Sequence, residues 1–156
     1  MKNIILFLAL MSSNGYAASI TAYNPINPTH TIQENVVVKK YADGLDASVN
    51  KVRDSRGVEF LYMRFSNGHK NIDYTIPFQL VCKDQDGTVT TTHQSHQYLR
   101  LAWDKTVSRG LSFKVDCGGG NLYVQYGDAR KGNIITGPLL DAIYAKLGEA
   151  ALLLLL

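Results

Sequence analysis

The sequence predicts an all-β fold, an antiparallel β-sandwich of about seven or eight short strands with one disulfide and a C-terminal helix. Three observations lead to this prediction. Apolar and polar residues alternate along much of the chain, and turn-forming residues separate these runs at regular intervals. The only two cysteines, Cys82 and Cys117, are in phase with apolar residues. A chain of 156 residues is long enough for one domain of this kind.

Residues 1–17 have the pattern of a secretory signal peptide. Lys2 precedes an uncharged apolar run from Ile4 to Met11, and small residues at Gly15 and Ala17 predict cleavage after Ala17. The run is far shorter than the roughly 20 residues that a membrane-spanning helix needs. We therefore expect a mature protein that is periplasmic or secreted and soluble on release.

Residues 18–34 are predicted to be an extended arm. This stretch repeats the Asn-Pro step at Asn24-Pro25 and Asn27-Pro28 and carries few residues to bury. The sandwich domain is then predicted to occupy residues 35–130.

Within that domain, apolar alternation predicts strands at Leu45–Val49, Leu61–Phe65, Ile72–Cys82 and Leu111–Cys117. Turn signals between short runs predict further strands at Val36–Tyr41, Val89–His93, Tyr98–Trp103 and Leu122–Tyr126. Pro77 interrupts the row of backbone donors in its strand, which predicts a sheet edge or a bulge.

The alternation places Cys82 and Cys117 on core faces, and an exported chain favours oxidised cysteines. We therefore predict a structural Cys82–Cys117 disulfide. The alternative is a reactive thiol pair, but the chain has no Cys-x-x-Cys spacing.

Charge and motifs exclude several classes of function. The formal net charge is +3 and the basic residues are scattered among acidic ones, so no nucleic-acid partner is predicted. No motif indicates a cofactor. His93 and His96 are weak candidates for a metal site or for an acid–base pair, since residues three apart on a strand point to opposite faces. A zinc site would need a further ligand such as His69.

Aromatic residues are the best candidates for an interaction surface, because they combine apolar area with a polar group. The alternative is that most of them pack in or around the core. The candidates are Tyr62, Tyr98, Trp103, Tyr123 and Tyr126.

Residues 131–156 are predicted to form a linker and an apolar helix that begins at Pro138. A helical stripe of candidate interaction residues comprises Leu140, Ile143, Tyr144 and Leu147, and the chain ends in Leu152–Leu156. Such a tail has three possible destinations: its own sandwich, a partner groove, or a peripheral contact with a membrane surface. It is alternatively a frameshift remnant.

The chain resembles small bacterial envelope proteins of the YcfL-like type. In that pattern a strand ending in Asn precedes a Tyr-x-x-x-Phe strand, an Asp-x-Gly turn and a segment with Trp. The matching segments are Val36–Val38, Leu45–Val52, Phe60–Asn67, Tyr74–Phe78, Asp84–Gly87 and Leu99–Trp103. The resemblance implies an immunoglobulin-like sandwich in the envelope with no established catalytic residues. This chain departs from the pattern in its cysteine pair, in its apolar tail and in lacking a lipid-attachment cysteine.

These observations favour a non-catalytic protein that works by protein–protein contact, as an accessory of an envelope, secretion or surface assembly. The partner would be an envelope or secretion-system protein, or a second copy. One alternative is a structural or adhesin subunit in which the arm Ala18–Tyr41 completes a neighbour's sheet. Another is a hydrolase or metal-binding protein that uses His93 and His96.

Overall fold

A computed structural model describes residues 17–28, 37–41, 44–68, 72–100, 106–133 and 138–154, with only the backbone for residues 140 and 148–154. Two antiparallel sheets pack into a sandwich, which confirms the predicted all-β fold. The predicted signal peptide lies outside the described residues, except for Ala17. The strands are β1 Ser19–Ala22, β2 Val37–Lys40, β3 Leu45–Arg53, β4 Glu59–Asn67, β5 Tyr74–Lys83, β6 Val89–Leu99, β7 Val107–Asp116, β8 Asn121–Tyr126, β9 Arg130–Lys131 and β10 Gly148–Leu154.

The first sheet has the strand order β1-β7-β4-β3-β2, and the second has the order β10-β8-β5-β6, with β9 also paired to β5. Alternation determines which side chains face inward. In β4, for example, Met63 and Phe65 are buried in the core, whereas Arg64 between them is exposed. The inner faces meet around Phe65, whose ring centroid lies 5.4 Å from that of Phe78 in β5.

The predicted disulfide between Cys82 and Cys117 is present, with the two Cα atoms 5.3 Å apart. Cys82 belongs to β5 in the second sheet, and Cys117 directly follows β7 in the first. The bond therefore joins the two sheets across the core. A disulfide is compatible with an oxidising compartment.

The prediction of a separate strand over Tyr98–Trp103 is wrong at its start, because no new strand begins at Tyr98. β6 continues without a break from Val89 to Leu99, because the polar residues after His93 keep pairing with β5 as far as Tyr74. Residues 101–105, including Trp103, lie outside the described part of the chain.

The prediction that Pro77 marks a sheet edge or a bulge is also wrong, because β5 is central and pairs with β6 and β8. The carbonyl of Pro77 accepts a hydrogen bond of 2.8 Å from the Gly127 N–H. Its nitrogen therefore faces the same side, where β8 has ended at Tyr126 and β9 has not begun. The missing donor falls in a gap between two partner strands.

The tail differs from the predicted long helix. Helix α1 covers only Pro138–Tyr144, and β10 follows it and pairs antiparallel with β8. The predicted stripe ends early because Leu147 has already left the helix. Within the described residues, no helix has the length and apolar character to cross a membrane.

The predicted arm forms strand β1 and then packs over part of the first sheet. β1 pairs with β7, and the chain then crosses the outer face of the first sheet, where Tyr23 packs on Phe60 with ring centroids 5.2 Å apart. Asp54 holds this segment, since its buried carboxylate accepts a 2.5 Å hydrogen bond from the Tyr23 hydroxyl. The Ser55 hydroxyl donates to the carbonyl of Ile26 at 2.9 Å.

Candidate functional site: an open sheet edge and its cleft

Strand β6 forms one edge of the second sheet and pairs only with β5 among the described strands. It has 11 residues, VTTTHQSHQYL, and contains no lysine, arginine, aspartate, glutamate or proline. Natural proteins usually protect such edges with charges, prolines, bulges or very short strands, because unpaired backbone groups recruit other strands. β6 has a bulge only near Val89, between the pairs Cys82–Thr91 and Lys83–Val89. The stretch Thr91–Leu99 is a regular, uncharged edge.

The register shows which backbone groups of β6 are open. Pro77 turns its carbonyl toward Gly127, away from β6, so its opposite residue His96 belongs to a non-hydrogen-bonded pair. The N–H and C=O of His96 therefore point away from β5. By alternation the same holds for Thr92, Gln94 and Tyr98. The Tyr98 carbonyl accordingly accepts a hydrogen bond from the Gln97 side chain, at 3.0 Å.

The four-residue strand β2, by contrast, is an edge of the usual protected kind. It ends in Lys39 and Lys40. Strand β1 is also only four residues long. Of the edge strands β1, β2 and β6, β6 is by far the longest. β2 is short and charged and β1 is short, whereas β6 is both long and uncharged.

A cleft of about 610 Å³ opens beside β6, between the two sheets. It exists because β1 pairs with β7 only from Phe113 to Asp116, and among the described strands none pairs with the first half of β7 on that side. The cleft is lined by residues from β6, β7, Tyr62 and the chain after β1: Ala22, Tyr23, Asn24, Pro25, Tyr62, His93, Ser95, Gly110, Leu111, Ser112 and Phe113.

Tyr62 enters the cleft by lying across Gly110. It projects from β4 on the outer face of the first sheet, where Ser112 lies opposite it on β7 and its ring leans over Gly110, two residues away. A Cβ atom at Gly110 would lie only 2.3 Å from the Tyr62 hydroxyl oxygen and 2.5 Å from a ring carbon. The absence of a side chain at Gly110 is therefore what allows the ring to reach the open side of β7.

His93 forms part of the cleft wall. Its ring lies 4.9 Å from the Phe113 ring, between centroids, and is half-buried. Burial lowers the pKa of His93 below its usual value of 6.5, because the imidazolium form loses hydration there. The wall is therefore aromatic and neutral at pH 7.

Three side-chain contacts anchor β6 on the flank outside the cleft. The Tyr98 hydroxyl donates to Asp73 at 2.6 Å, and the Gln94 amide donates to Gln79 at 2.9 Å. The Tyr144 hydroxyl donates to the Ser95 carbonyl. Burial is the main cause that raises the pKa of Tyr144 to about 12, so this hydroxyl remains a donor at all ordinary pH values.

The predicted aromatic candidates do not form one surface. Tyr62 belongs to the cleft and Tyr98 to the opposite flank of β6, whereas Tyr123 lies under the ammonium group of Lys83, 4.6 Å from it. Tyr126 is wrong as an interaction residue because only 1% of it is exposed. Its strand position directs the ring inward, toward Phe65.

The tail candidates pack on the sandwich as far as they are described. Ile143 and Tyr144 are buried. Leu147 lies beside Gly127. A Cβ atom added to Gly127 would be 2.6 Å from the Leu147 Cδ2 and 2.6 Å from the Pro77 ring. The side chain of Leu140 lies outside the described residues.

The histidines are not brought together. His93 lines the cleft, while His96 lies three residues further along β6, on the other face and opposite Pro77. The described part of the chain holds no group of three or more His, Cys, Asp or Glu side chains that could bind a metal ion. His69, the suggested third ligand, lies outside it.

The open edge is not predictable from the alternation of apolar residues. Apolar alternation signals a strand with one buried face, but the polar run Thr90–Gln97 gives no such signal. The available clue was compositional, namely a long stretch of β-compatible residues without a single charge.

Comparisons of this chain with protein-family models, with curated proteins and with solved structures found no match.

Proposed function

We propose that this chain is a non-catalytic β-sandwich protein of the bacterial periplasm or cell exterior that binds protein segments by strand addition at β6. The observation behind the proposal is the long, regular and uncharged open edge Thr91–Leu99. Strand addition uses backbone hydrogen bonds for affinity and side-chain pockets for specificity. The β6 edge offers the backbone hydrogen bonds, and the cleft beside it offers the side-chain pocket.

The cleft suits an extended segment. Every second side chain of an added strand would point to the inner side of the second sheet, where Leu111 and Phe113 provide apolar and aromatic area. Contact there removes apolar surface from water at about 25 cal/mol per Å². The cleft therefore adds apolar contact to the backbone pairing.

The proposed location rests on the sequence. The signal-peptide pattern of residues 1–17, the disulfide and the resemblance to YcfL-like envelope proteins with an immunoglobulin-like sandwich all favour an accessory role in an envelope, secretion or surface assembly. The partner would be an envelope or secretion-system protein, or a second copy.

Site-specific photocrosslinking in cells tests this function. A photoreactive residue at Gln94, on the open edge, should give a defined crosslinked protein, identifiable by mass spectrometry. The matched control is the exposed Val38 on the short edge β2. Absence of a product at Gln94, or equal products at both positions, would contradict strand addition at β6.

A second candidate is a structural or adhesin subunit that exchanges strands. The favouring observation is that β1 covers only part of β7, so that no strand in the described part of the chain pairs with Val107–Leu111 on that side. A neighbour's arm would then pair with this stretch. Concentration-dependent polymers that disappear on deletion of residues 18–28 would favour this candidate, and a closed dimer would count against it.

A further inference from the structure

The side chains on the outer face of β6 make this strand complementary to itself. Thr92, Gln94 and His96 each carry both a hydrogen-bond donor and an acceptor when the imidazole is neutral. A Gln94 side chain that lies opposite His96 of a second copy therefore finds a hydrogen-bond partner. A charged strand would instead repel its own copy, because like charges directly opposite each other destabilise a pair of strands.

An edge that binds a strand of a different protein does not need to be complementary to itself. An edge that selected a charged partner would carry the opposite charge, and an edge that selected an apolar partner would be apolar on both faces. β6 is neither, since it has no charged residue and its outer face is polar. This composition favours a second copy of the chain over other occupants.

The bulge defines the register. It lies between Thr91 and Val89, so the regular stretch runs from Thr91 to Leu99, and its central residue is Ser95. In an antiparallel pair with two-fold symmetry about Ser95, Gln94 lies opposite His96 of the second copy. Thr92 likewise lies opposite Tyr98. These are the residues whose backbone N–H and C=O already point to the open side, so they form the hydrogen-bonded pairs.

We propose that β6 pairs antiparallel with β6 of a second copy, centred on Ser95, so that one sheet runs through both molecules. This inference rests on the proposed function, because it names the occupant of the same edge. The contact is isologous, as in most soluble dimers.

Ser95 gives the first test. In the proposed register the two Ser95 residues form a non-hydrogen-bonded pair with Cα atoms about 4.5 Å apart, within the range that a disulfide bridges. Ser95→Cys in the full chain should give a disulfide-linked dimer under mild oxidation, and mass spectrometry should map the link to the introduced cysteine of each copy.

Gln97→Cys is the matched control, because it lies on the same strand and face. In this register the two Gln97 residues are offset by four positions, about 13 Å along the strand. This variant should give little crosslinked product. Equal crosslinking at both positions would overturn the proposed register.

Sedimentation of the untagged chain provides the second test. The wild type should form a concentration-dependent dimer. Gln94→Pro removes an N–H that points away from β5 and leaves the ladder between β5 and β6 intact. Each dimer loses two hydrogen bonds, which should raise the dissociation constant at least about tenfold.

Val38→Pro is the control for this substitution. The Tyr41 N–H donates to the Leu45 carbonyl and so points toward β3. Backbone N–H groups alternate in direction along a strand, and Val38 lies an odd number of residues, three, before Tyr41. The Val38 N–H therefore points away from β3. Val38→Pro should leave the dimer unchanged. If Gln94→Pro does not fold, Gln94→Lys serves instead, since it keeps the backbone donor and places like charges near the axis.

The outcomes separate the two proposals. A wild-type chain that is monomeric at high micromolar concentration, with no Ser95→Cys crosslink, overturns the dimer. If the photoreactive residue at Gln94 then captures a different, identified protein, strand addition at β6 stands with another occupant. If it captures nothing, both proposals fail.

Discussion

At the scale of single residues, Asp54 shows how one buried carboxylate fixes a long segment of chain. It accepts hydrogen bonds from the Tyr23 hydroxyl, from the Arg56 guanidinium at 2.9 Å and from the backbone N–H of Val58 at 3.1 Å. These bonds, that of Tyr23 first, lower the pKa of Asp54 well below its usual value of 3.8. The negative charge therefore ties the arm to the turn between β3 and β4.

The direction of this pKa shift predicts that the contacts of Asp54 weaken in acid. Because the pKa of Asp54 is lower in the folded chain, its stabilising contribution is complete above pH 3.8 and is lost as the pH falls further, toward the folded-state pKa. We expect Asp54→Asn to lower the Tm at neutral pH and to flatten the decline of Tm below about pH 4. Thermal unfolding followed by circular dichroism measures both, with exposed Asp86→Asn as the control.

Gly110 carries the second residue-scale prediction. Gly110→Ala forces Tyr62 out of the cleft wall and should destabilise the fold by about 1–3 kcal/mol, as overpacking does. The same substitution in a Tyr62→Ala background should cost less, because the blocked ring is gone. Urea unfolding of the four chains gives the coupling, and strictly additive effects would show that the ring does not depend on Gly110.

At the scale of elements, the sequence predicted strands best where one face is apolar and the other polar. This signal predicts β3, β4, β7 and β5, the last with the inward phase of Cys82. The run of leucines at the end gave no such signal, since a continuous apolar run fits a buried strand as well as a helix. Pairing with β8 decides its conformation, and local sequence does not contain that information.

The disulfide is the element-scale prediction for stability. It closes a loop with a sequence separation of 35, for which chain entropy gives about 3–4 kcal/mol of stabilisation through the unfolded state. The double variant Cys82→Ala/Cys117→Ala should lose about that much. Guanidinium unfolding measures it, and reduction of the wild type should give a similar loss. A double variant as stable as the oxidised wild type would mean that the loop is already constrained.

At the scale of the whole molecule, the cleft and its neighbouring edge could not be predicted from single motifs. His93, Phe113, Gly110 and Tyr62 come from three strands in two sheets, and only the packing of one sheet on the other brings them together. Two of them, Tyr62 and His93, were already candidates on chemical grounds. Which candidates meet is a property of the strand order.

The pH profile of the whole molecule should therefore have a second sensitive region above that of Asp54. The folded chain holds His93 neutral, with a pKa below 6.5, so the unfolded chain takes up a proton first as the pH falls. Stability should decline from about pH 6.5 downward. His93→Gln should flatten this decline when Tm is measured from about pH 8 to about pH 5, whereas His96→Gln, on the other face, should not.

The pairing of β1 with β7 has a consequence for how the chain folds. Ser19 lies opposite Asp116, so the first strand has no partner until nearly the whole of β7 has emerged. Likewise, central β5 completes its pairing only with β8, and β8 only with β10. Neighbouring strands such as β3 and β4 can pair early, but both sheets are completed by strands that lie far apart in the chain. Such long-range partners slow folding, so the two sheets should close late.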